Sequence, residues 1–311
     1  MSTDMWLSPG LVQDPVYHRP AGLEQALALL AEHGAAAVVI AGGTDVMIQV
    51  RRGRLTPDHL VHVGSLPELR RIDVGESIHI GAAVTHRELL ASLLVPPLLQ
   101  ASAHRLGYRQ TQQAGTVGGN LASAGPADLG AALLVHDAQI QLASVGGKHR
   151  MRVEDFVLGE GRTARRSDEL ITSIHLAAPV PGERTAYRKV GRRGEMDAPI
   201  VAVAARAIPV SPPDLESQGW RIRLAVGAYA PVPFRAVRSE TVLAVLGEPL
   251  PRLGALGPLI AEAASAAGEI EPADDVRATS RYRSQLLPRV VAAVLTDLLS
   301  PVGTDQRGAE R

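Results

Sequence analysis

This chain of 311 residues contains no cysteine. That excludes disulfides, thiol nucleophiles and a cysteine-held iron–sulfur cluster within the chain itself. Aromatic residues are scarce, with two Phe, two Trp and five Tyr. A planar ligand therefore has to be packed by aliphatic and backbone groups, and stacking platforms for single-stranded nucleic acid are not expected. Nor is there an excess of charge: 32 Lys and Arg balance 32 Asp and Glu, which removes any chain-wide attraction to nucleic acid or an anionic membrane. No apolar run reaches the roughly 20 residues that a membrane-spanning helix needs. Residues 1–6 show no basic stretch followed by an apolar core, so the cytoplasm is the expected location. Catalytic patterns are thin as well. Of the ten histidines, only His59-x-x-His62 has a suggestive spacing. That pair straddles a turn into a strand, its rings need not converge, and no metal site is expected there. No serine sits in a nucleophile elbow.

What the chain does have is glycine in two paired loops, Ala41-Gly42-Gly43-Thr44-Asp45 and Gly115-Thr116-Val117-Gly118-Gly119-Asn120. Paired glycines let the backbone approach a ligand closely and leave N–H groups to meet phosphate oxygens. One such loop is as readily a tight turn. Two in one domain-sized stretch point to an extended diphosphate held from both sides, as in a dinucleotide. The first loop follows the β-prone Val38-Val39-Ile40 and precedes a helix that Thr44 or Asp45 can cap. It is neither G-x-G-x-x-G nor a P-loop. Beyond the second loop, Asn120, Ser123 and Asp128 offer side-chain partners to hydroxyls, and Asp128 serves equally as a helix N-cap. The charged segment from Tyr187 to Asp197 reads as a solvated hairpin or as a cationic wall near an anionic cofactor. The doublets Arg51-Arg52, Arg165-Arg166 and Arg192-Arg193 read as solvated surface.

Helical spacing of Leu23, Ala26, Leu27 and Leu30, ending at Gly34, predicts a helix. With strands at 36–40 and at Val61-His62-Val63 it makes a β-α-β-type unit. Further strands are expected at 77–81, 138–143 and 170–176. A helix opens at the capping box Thr85-x-x-Glu88, and others at 98–106 and 129–136. Residues 107–119 read as loop and Asn120-Leu121-Ala122 as a strand. Pro179-Val180-Pro181-Gly182 marks a domain boundary. After it come strands at 186–190, 200–207 and 220–228 and helices at about 237–246, 259–267 and 281–299, read as three antiparallel strands with helices on one face. Residues 301–311 are polar and are expected to be a disordered tail.

Ala41-Gly42-Gly43-Thr44-Asp45, Gly115-Thr116-Val117-Gly118-Gly119-Asn120 and Ser123-Ala124-Gly125-Pro126-Ala127-Asp128 together resemble the FAD-binding (medium) subunit of the molybdenum hydroxylases, of xanthine dehydrogenase and carbon monoxide dehydrogenase type. The similarity runs through roughly residues 14–295, with Asp168-Glu169-Leu170-Ile171, Pro233-Phe234-Arg235-Ala236 and Tyr282-Arg283 in the expected order. It implies an α+β fold: a vanillyl-alcohol-oxidase (PCMH)-type FAD-binding domain at 1–178, with subdomains of about 1–60 and 61–178. A C-terminal domain like that of carbon monoxide dehydrogenase flavoproteins follows at 183–300, with three antiparallel strands and a small helical bundle. The resemblance implies noncovalent FAD at Ala41, Gly42, Gly43, Thr44 and Asp45 and at Thr116, Gly118, Gly119 and Asn120. Ser123 and Asp128 match positions at the ribityl or adjacent cofactor, and Leu170 and Lys189 the neighbourhood of the flavin ring. Implied partners are a large molybdopterin-binding subunit and a small [2Fe-2S] subunit, in a dimer of heterotrimers. Electrons would pass through FAD to NAD or another acceptor, and no catalytic or metal-ligating residue is assigned to this chain. Two positions depart from the family pattern: Gln112-Gln113 replaces Arg-Asn, and Gly130 replaces proline. A free-standing FAD-dependent oxidoreductase of the same fold and a cofactor-less assembly scaffold are the alternative readings.

Overall fold

In the computed structural model, which describes residues 14–125, 128–194, 196–210, 219–247, 251 and 253–300, the first unit is a small parallel sheet. It contains β1 (Val16–His18), α1 (Leu23–His33), β2 (Ala37–Ile40), α2 (Val46–Arg51) and β3 (His59–His62), with strand order β1-β3-β2. The apolar stripe of α1 buries Ala26, Leu27 and Leu30 against Ala37 and Val61, as its helical spacing requires. β3 runs across the subdomain division expected near residue 60.

The second unit is an antiparallel sheet of β4 (Ile72–Val74), β5 (Ser77–Gly81), β6 (Gln139–Ser144), β7 (Gly147–Arg152) and β10 (Leu170–Ala177), in the order β4-β5-β10-β6-β7. Between β5 and β6 lie α3 (His86–Ala91), α4 (Pro97–His104), α5 (Arg109–Ala114), α6 (Val117–Ala122) and α7 (Leu129–Val135). Between β7 and β10 lie α8 (Val153–Phe156) and a hairpin of β8 (Val157–Gly159) and β9 (Arg162–Thr163). The capping box of α3 forms as expected: the Glu88 N–H donates to Thr85 Oγ1 at 3.1 Å, and the Thr85 N–H donates to the Glu88 carboxylate at 2.8 Å. The loop expected at 107–119 and the strand expected at Asn120-Leu121-Ala122 are instead α5 and α6. Thr116 caps α6, accepting from the Gly119 N–H at 3.1 Å. The Val117 and Gly118 N–H groups donate to the carbonyls of Val84 and Ala82 at 2.9 and 2.8 Å. The first turn of a helix leaves such donors without internal partners. Here a distant segment supplies the acceptors, and local sequence carries no sign of it. Gln112, one of the departures from the family pattern, is buried and donates its amide to the His104 and Gly107 carbonyls, tying α5 to the end of α4.

The C-terminal part is an antiparallel sheet of β11 (Arg184–Gly191), β12 (Pro199–Val210), β13 (Gly219–Gly227) and β14 (Phe234–Arg235), in that order. It is joined to α9 (Val237–Leu243), α10 (Leu253–Ala266) and α11 (Ser280–Leu299). The expectation of helices on one face is corrected, because α7 packs on the other. Strand alternation accounts for both contacts: Val201, Val203 and Ala205 of β12 point into a core with Val291, Val294 and Leu295 of α11. Ala202 and Ala204 share a core with Leu129, Ala132 and Leu133 of α7. A strand covered on both sides reads as one apolar run, so the sequence from Ile200 to Ala205 does not reveal its second partner.

The fully buried Arg283 holds α11 to this sheet. It donates to the carbonyls of Ile200, Ala273 and Ala278 at 3.2, 2.6 and 3.0 Å, and its Nη2 meets both oxygens of Asp275 at 3.0 Å. Burial pushes the Asp275 carboxyl up, but hydrogen bonds from Arg277 and Arg283 outweigh it and hold the group well below the usual carboxylate range. Lysine cannot reproduce the planar fork. Arg283→Lys is expected to lose about 3 kcal/mol, the scale of a buried charge-assisted hydrogen bond left unmade; urea denaturation near neutral pH measures it. No described helix is long and apolar enough to cross a membrane. The tail expected at 301–311 lies outside the described residues.

Candidate cofactor-binding site

The loop after β2 and the α5–α6 turn come together between the parallel sheet and the antiparallel sheet, and a cavity of about 550 Å³ opens between them. That volume lies within the roughly 300–1,000 Å³ of small-molecule and cofactor pockets. Ala41, Gly42, Gly43, Thr44 and Asp45 line it from one side, and Thr116, Gly118, Gly119, Asn120 and Ser123 from the other, with Leu170 of β10 at the back. The two loops touch. A Cβ on Gly42 would stand 1.6 Å from the Ala114 carbonyl oxygen, so only glycine allows this approach.

The loops do different work. Among the described residues, nothing accepts a hydrogen bond from the N–H groups of Gly42, Gly43, Thr44 or Asp45, so this loop has four donors to offer. Asp45 occupies the N-cap position of α2 without capping it. Its carboxylate accepts from Gln49 Nε2 at 2.6 Å. The expectation that the second loop supplies free backbone donors is corrected for Val117, Gly118 and Gly119, whose N–H groups are already bonded. What the second loop offers is shape and side chains. Gly119 is exposed at the cavity, and the Asn120 Oδ1 is buried with no hydrogen-bond partner among the described residues. The Ser123 hydroxyl donates to the Asn120 carbonyl at 2.8 Å.

Two titratable side chains on the wall, His86 and Arg165, carry no signal in the sequence. His86 is 2% exposed, and burial pushes its imidazole down to about 4, so the ring is neutral at physiological pH. Its Nδ1 has no partner among the described residues. The capping box located this residue but concerned only its neighbours. Arg165 is the only Lys or Arg among the described residues on the wall. Its Nη1 donates to the carbonyls of Arg166 and Glu169 at 2.9 and 2.6 Å. Burial lowers its pKa, opposed by Glu169 and Asp168. A doublet that reads as solvated surface thus turns one arginine inward. Apart from the Asp45 carboxylate and the Gln49 and Asn120 amides, the rest of the wall is backbone, hydroxyl and aliphatic, including Val38, Val39, Leu106 and Ile171, and His86 is the sole ring among its described residues.

Asp128 and Lys189 are brought to each other rather than to the cavity. Their charged atoms pair at 2.5 Å between the N-terminus of α7 and β11. Lys189 Nζ also donates to the Arg105 carbonyl at 2.6 Å, next to Leu106 on the wall. Ser102 Oγ and the Tyr187 hydroxyl donate to the Asp128 carbonyl at 2.8 and 3.4 Å. Asp128 stands at the N-cap of α7, but its side chain makes no cap hydrogen bond.

Residues 11–179 match the FAD binding domain in molybdopterin dehydrogenase, and residues 185–298 match the CO dehydrogenase flavoprotein C-terminal domain. The chain is 30% identical over 296 residues to the xanthine dehydrogenase FAD-binding subunit of Escherichia coli O157:H7, covering 92% of this chain and 97% of that one. It is 28% identical over 286 residues to the carbon monoxide dehydrogenase medium chain of Hydrogenophaga pseudoflava, covering 90% and 95%. A solved structure of carbon monoxide dehydrogenase from the same organism superposes with a TM-score of 0.83 at 27% identity, over 92% of this chain and 97% of that one. The mixed helix-and-sheet fold, the two glycine loops on one cavity and these likenesses agree: the chain belongs to the FAD-binding medium subunits of the molybdenum hydroxylases, flavin oxidoreductase subunits of xanthine dehydrogenase and carbon monoxide dehydrogenase type.

Proposed function

We propose that this protein is the electron-relaying subunit of a molybdenum hydroxylase assembly and holds noncovalent FAD in the cavity between its glycine loops. The observation that carries the reading is the convergence of four unpaired N–H groups, at Gly42, Gly43, Thr44 and Asp45, with the glycine-lined second loop on one cavity. Backbone donors suit a diphosphate, which spreads its charge over several oxygens and needs no cation at each. On this reading Thr116, Gly118 and Gly119 shape the opposite side of the diphosphate site. Asn120 and Ser123 meet ribityl hydroxyls, and Ala41 and Leu170 pack the remaining faces. The aliphatic wall suits a planar ring and keeps water from it. Asp128 and Lys189 act from behind the wall, by fixing α7 and β11.

Bound FAD supplies the redox chemistry that these amide and aliphatic groups lack, and the chain's task is to bind, orient and tune it. Electrons released at molybdenum in a large partner, and carried by the [2Fe-2S] clusters of a small one, would cross this chain to NAD or another acceptor. The absence of cysteine fits a division of labour in which clusters belong to a partner. The names of the relatives, a FAD-binding subunit and a medium chain, support an assembly of this kind, taken here as a dimer of heterotrimers. The proposed domain division is 1–178, of vanillyl-alcohol-oxidase (PCMH) type with its subdomains meeting near residue 60, and 183–300.

The purified chain is expected to be yellow and to release one FAD on denaturation. A colourless chain that takes up no added FAD would sink the proposal. Within the site, a Cβ on Gly119 would meet only Thr116 Oγ1, at 2.9 Å. Gly119→Val is therefore expected to fill the cavity mouth and abolish FAD retention while leaving the cooperative unfolding transition in place. Wild-type flavin content in that variant would reduce the second loop to a plain turn. Co-purification with mass spectrometry is expected to find a molybdopterin-binding large chain and a cysteine-rich small chain.

A further inference from the structure

Away from the cavity, three of the ten histidines meet at one spot. Strand alternation places two of them together. His18 of β1 is paired in register with Val61 of β3, two residues after His59, so His18 and His59 stand on the same face of the parallel sheet as Val61. That face is the one α1 covers, since Val61 packs with Ala26, Leu27 and Leu30. The last residue of α1 is His33, and its ring stacks on that of His59 with centroids 3.8 Å apart and planes 9° apart. His18 Nε2 lies 3.0 Å from His59 Nδ1, and ligand atoms of all three rings lie within 4.8 Å of one another. All three side chains are half-buried.

We propose that His18, His33 and His59 form a binding site for a divalent transition cation of the zinc class, which clamps the C-terminal end of α1 to β1 and β3. Zn–N bonds of about 2.0–2.1 Å at a tetrahedral centre put ligating nitrogens ~3.3 Å apart. The His18–His59 separation is already close to that, and drawing in the third nitrogen takes at most about 1.5 Å of motion, within reach of a χ change in a half-buried side chain. Burial, followed by the neighbouring His59 and His33 rings, lowers the pKa of His18, opposed by Glu32. A neutral ring presents the free lone pair that a metal requires. Three imidazoles favour zinc, cobalt, nickel or copper over magnesium or calcium, which take oxygen ligands. Three protein ligands leave a fourth position for water. Glu32, next to His33 in the chain and close enough to influence His18, offsets part of the cation's charge. The clamp would sit near the cofactor site in the chain, because Ala35 and Ala37, just after His33, line the cavity.

The test is a titration of the full FAD-loaded chain with Co²⁺ and then Zn²⁺, after treatment with a chelator and dialysis. The expected result is uptake of one Co²⁺ per chain with the intense visible bands of four-coordinate cobalt, loss of those bands as Zn²⁺ displaces it, and no response to Mg²⁺. His33→Gln and the double variant H18Q/H59Q are each expected to weaken cobalt binding by on the order of a hundredfold, since each removes at least one of the ligands that share the binding energy. Unchanged flavin content and a wild-type-like far-UV spectrum would show that both variants remain folded. Equal cobalt affinity in wild type and both variants, a weak octahedral spectrum in the wild type, or no saturable uptake would each overturn the proposal and leave the cluster a stacked, hydrogen-bonded histidine group.

Discussion

Gly42→Val is expected to strip the protein of FAD and to destabilise it by more than ~3 kcal/mol, beyond the usual range for an overpacked core position. The new Cβ would fall 1.6 Å from the Ala114 carbonyl oxygen and 2.4 Å from its carbon, and both are backbone atoms that no rotamer change can move. Relief requires the loop after β2 to part from the α5–α6 turn, and those two segments are the opposite sides of the cavity. Fold and cofactor should therefore be lost together, seen as a lowered urea midpoint and a colourless protein. Gly119→Val, by contrast, should lose the cofactor alone. If Gly42→Val kept its flavin and its midpoint, the approach of the two loops would not be what forms the site.

Lys189→Met is expected to cost about 3–5 kcal/mol near pH 8, the usual penalty for leaving one partner of a buried ion pair uncompensated. The Lys189 side chain is completely buried and that of Asp128 is 10% exposed, so water cannot replace the missing charge. The effect carries a sign in pH. Burial raises the Asp128 carboxyl from 3.8 to about 6, with Lys189 opposing it. A carboxyl raised in the folded state contributes stability that is complete below 3.8 and is lost as pH rises through about 6. Without Lys189 nothing of comparable strength opposes the rise. The variant should then lie closest to wild type near pH 5, where the carboxyl takes up its proton, and furthest from it near pH 8. Denaturation at the two pH values measures this, and an equal loss at both would contradict it. Asp128→Asn in the Lys189→Met background should restore most of the stability. Flavin per folded chain should stay near wild type, because neither residue lines the cavity. A drop in flavin with stability intact would instead put the pair in direct contact with the cofactor.

Features that depend on neighbours in the chain were legible in advance. α1 follows from the spacing of Leu23, Ala26, Leu27 and Leu30, and α3 from its capping box, since residues a turn apart decide both. The two glycine loops were legible as a pair, and Ala41 through Asp45 share one cavity with Thr116, Gly118, Gly119, Asn120 and Ser123. Features that depend on distant partners were not. The sequence of α6 looks like loop and strand because its first-turn donors at Val117 and Gly118 are satisfied by Val84 and Ala82, more than thirty residues away. Arg165 looked like surface because only the return of β9 and β10 toward the first loop gives it a wall to join. The spacing in sequence pairs His59 with His62, whereas its partners in space are His18 and His33.

By itself the sequence determined the chemical limits and the family. Without cysteine, with balanced charge and few aromatics, the chain can hold an extended diphosphate cofactor by backbone groups, and its glycine loops and accompanying motifs are those of a FAD-binding molybdenum hydroxylase subunit. Only the tertiary structure decided how the glycines divide the work. The N–H groups of Gly42 through Asp45 stay free, because nothing among the described residues packs where an acceptor would stand. Those of Val117 and Gly118 are used up, because β5 and α3 are joined by a segment whose carbonyls reach them, and that of Gly119 is taken by the Thr116 hydroxyl. Hydrogen-bond partners and steric exclusion belong to positions in space, and a chain reveals them only once it has closed on itself.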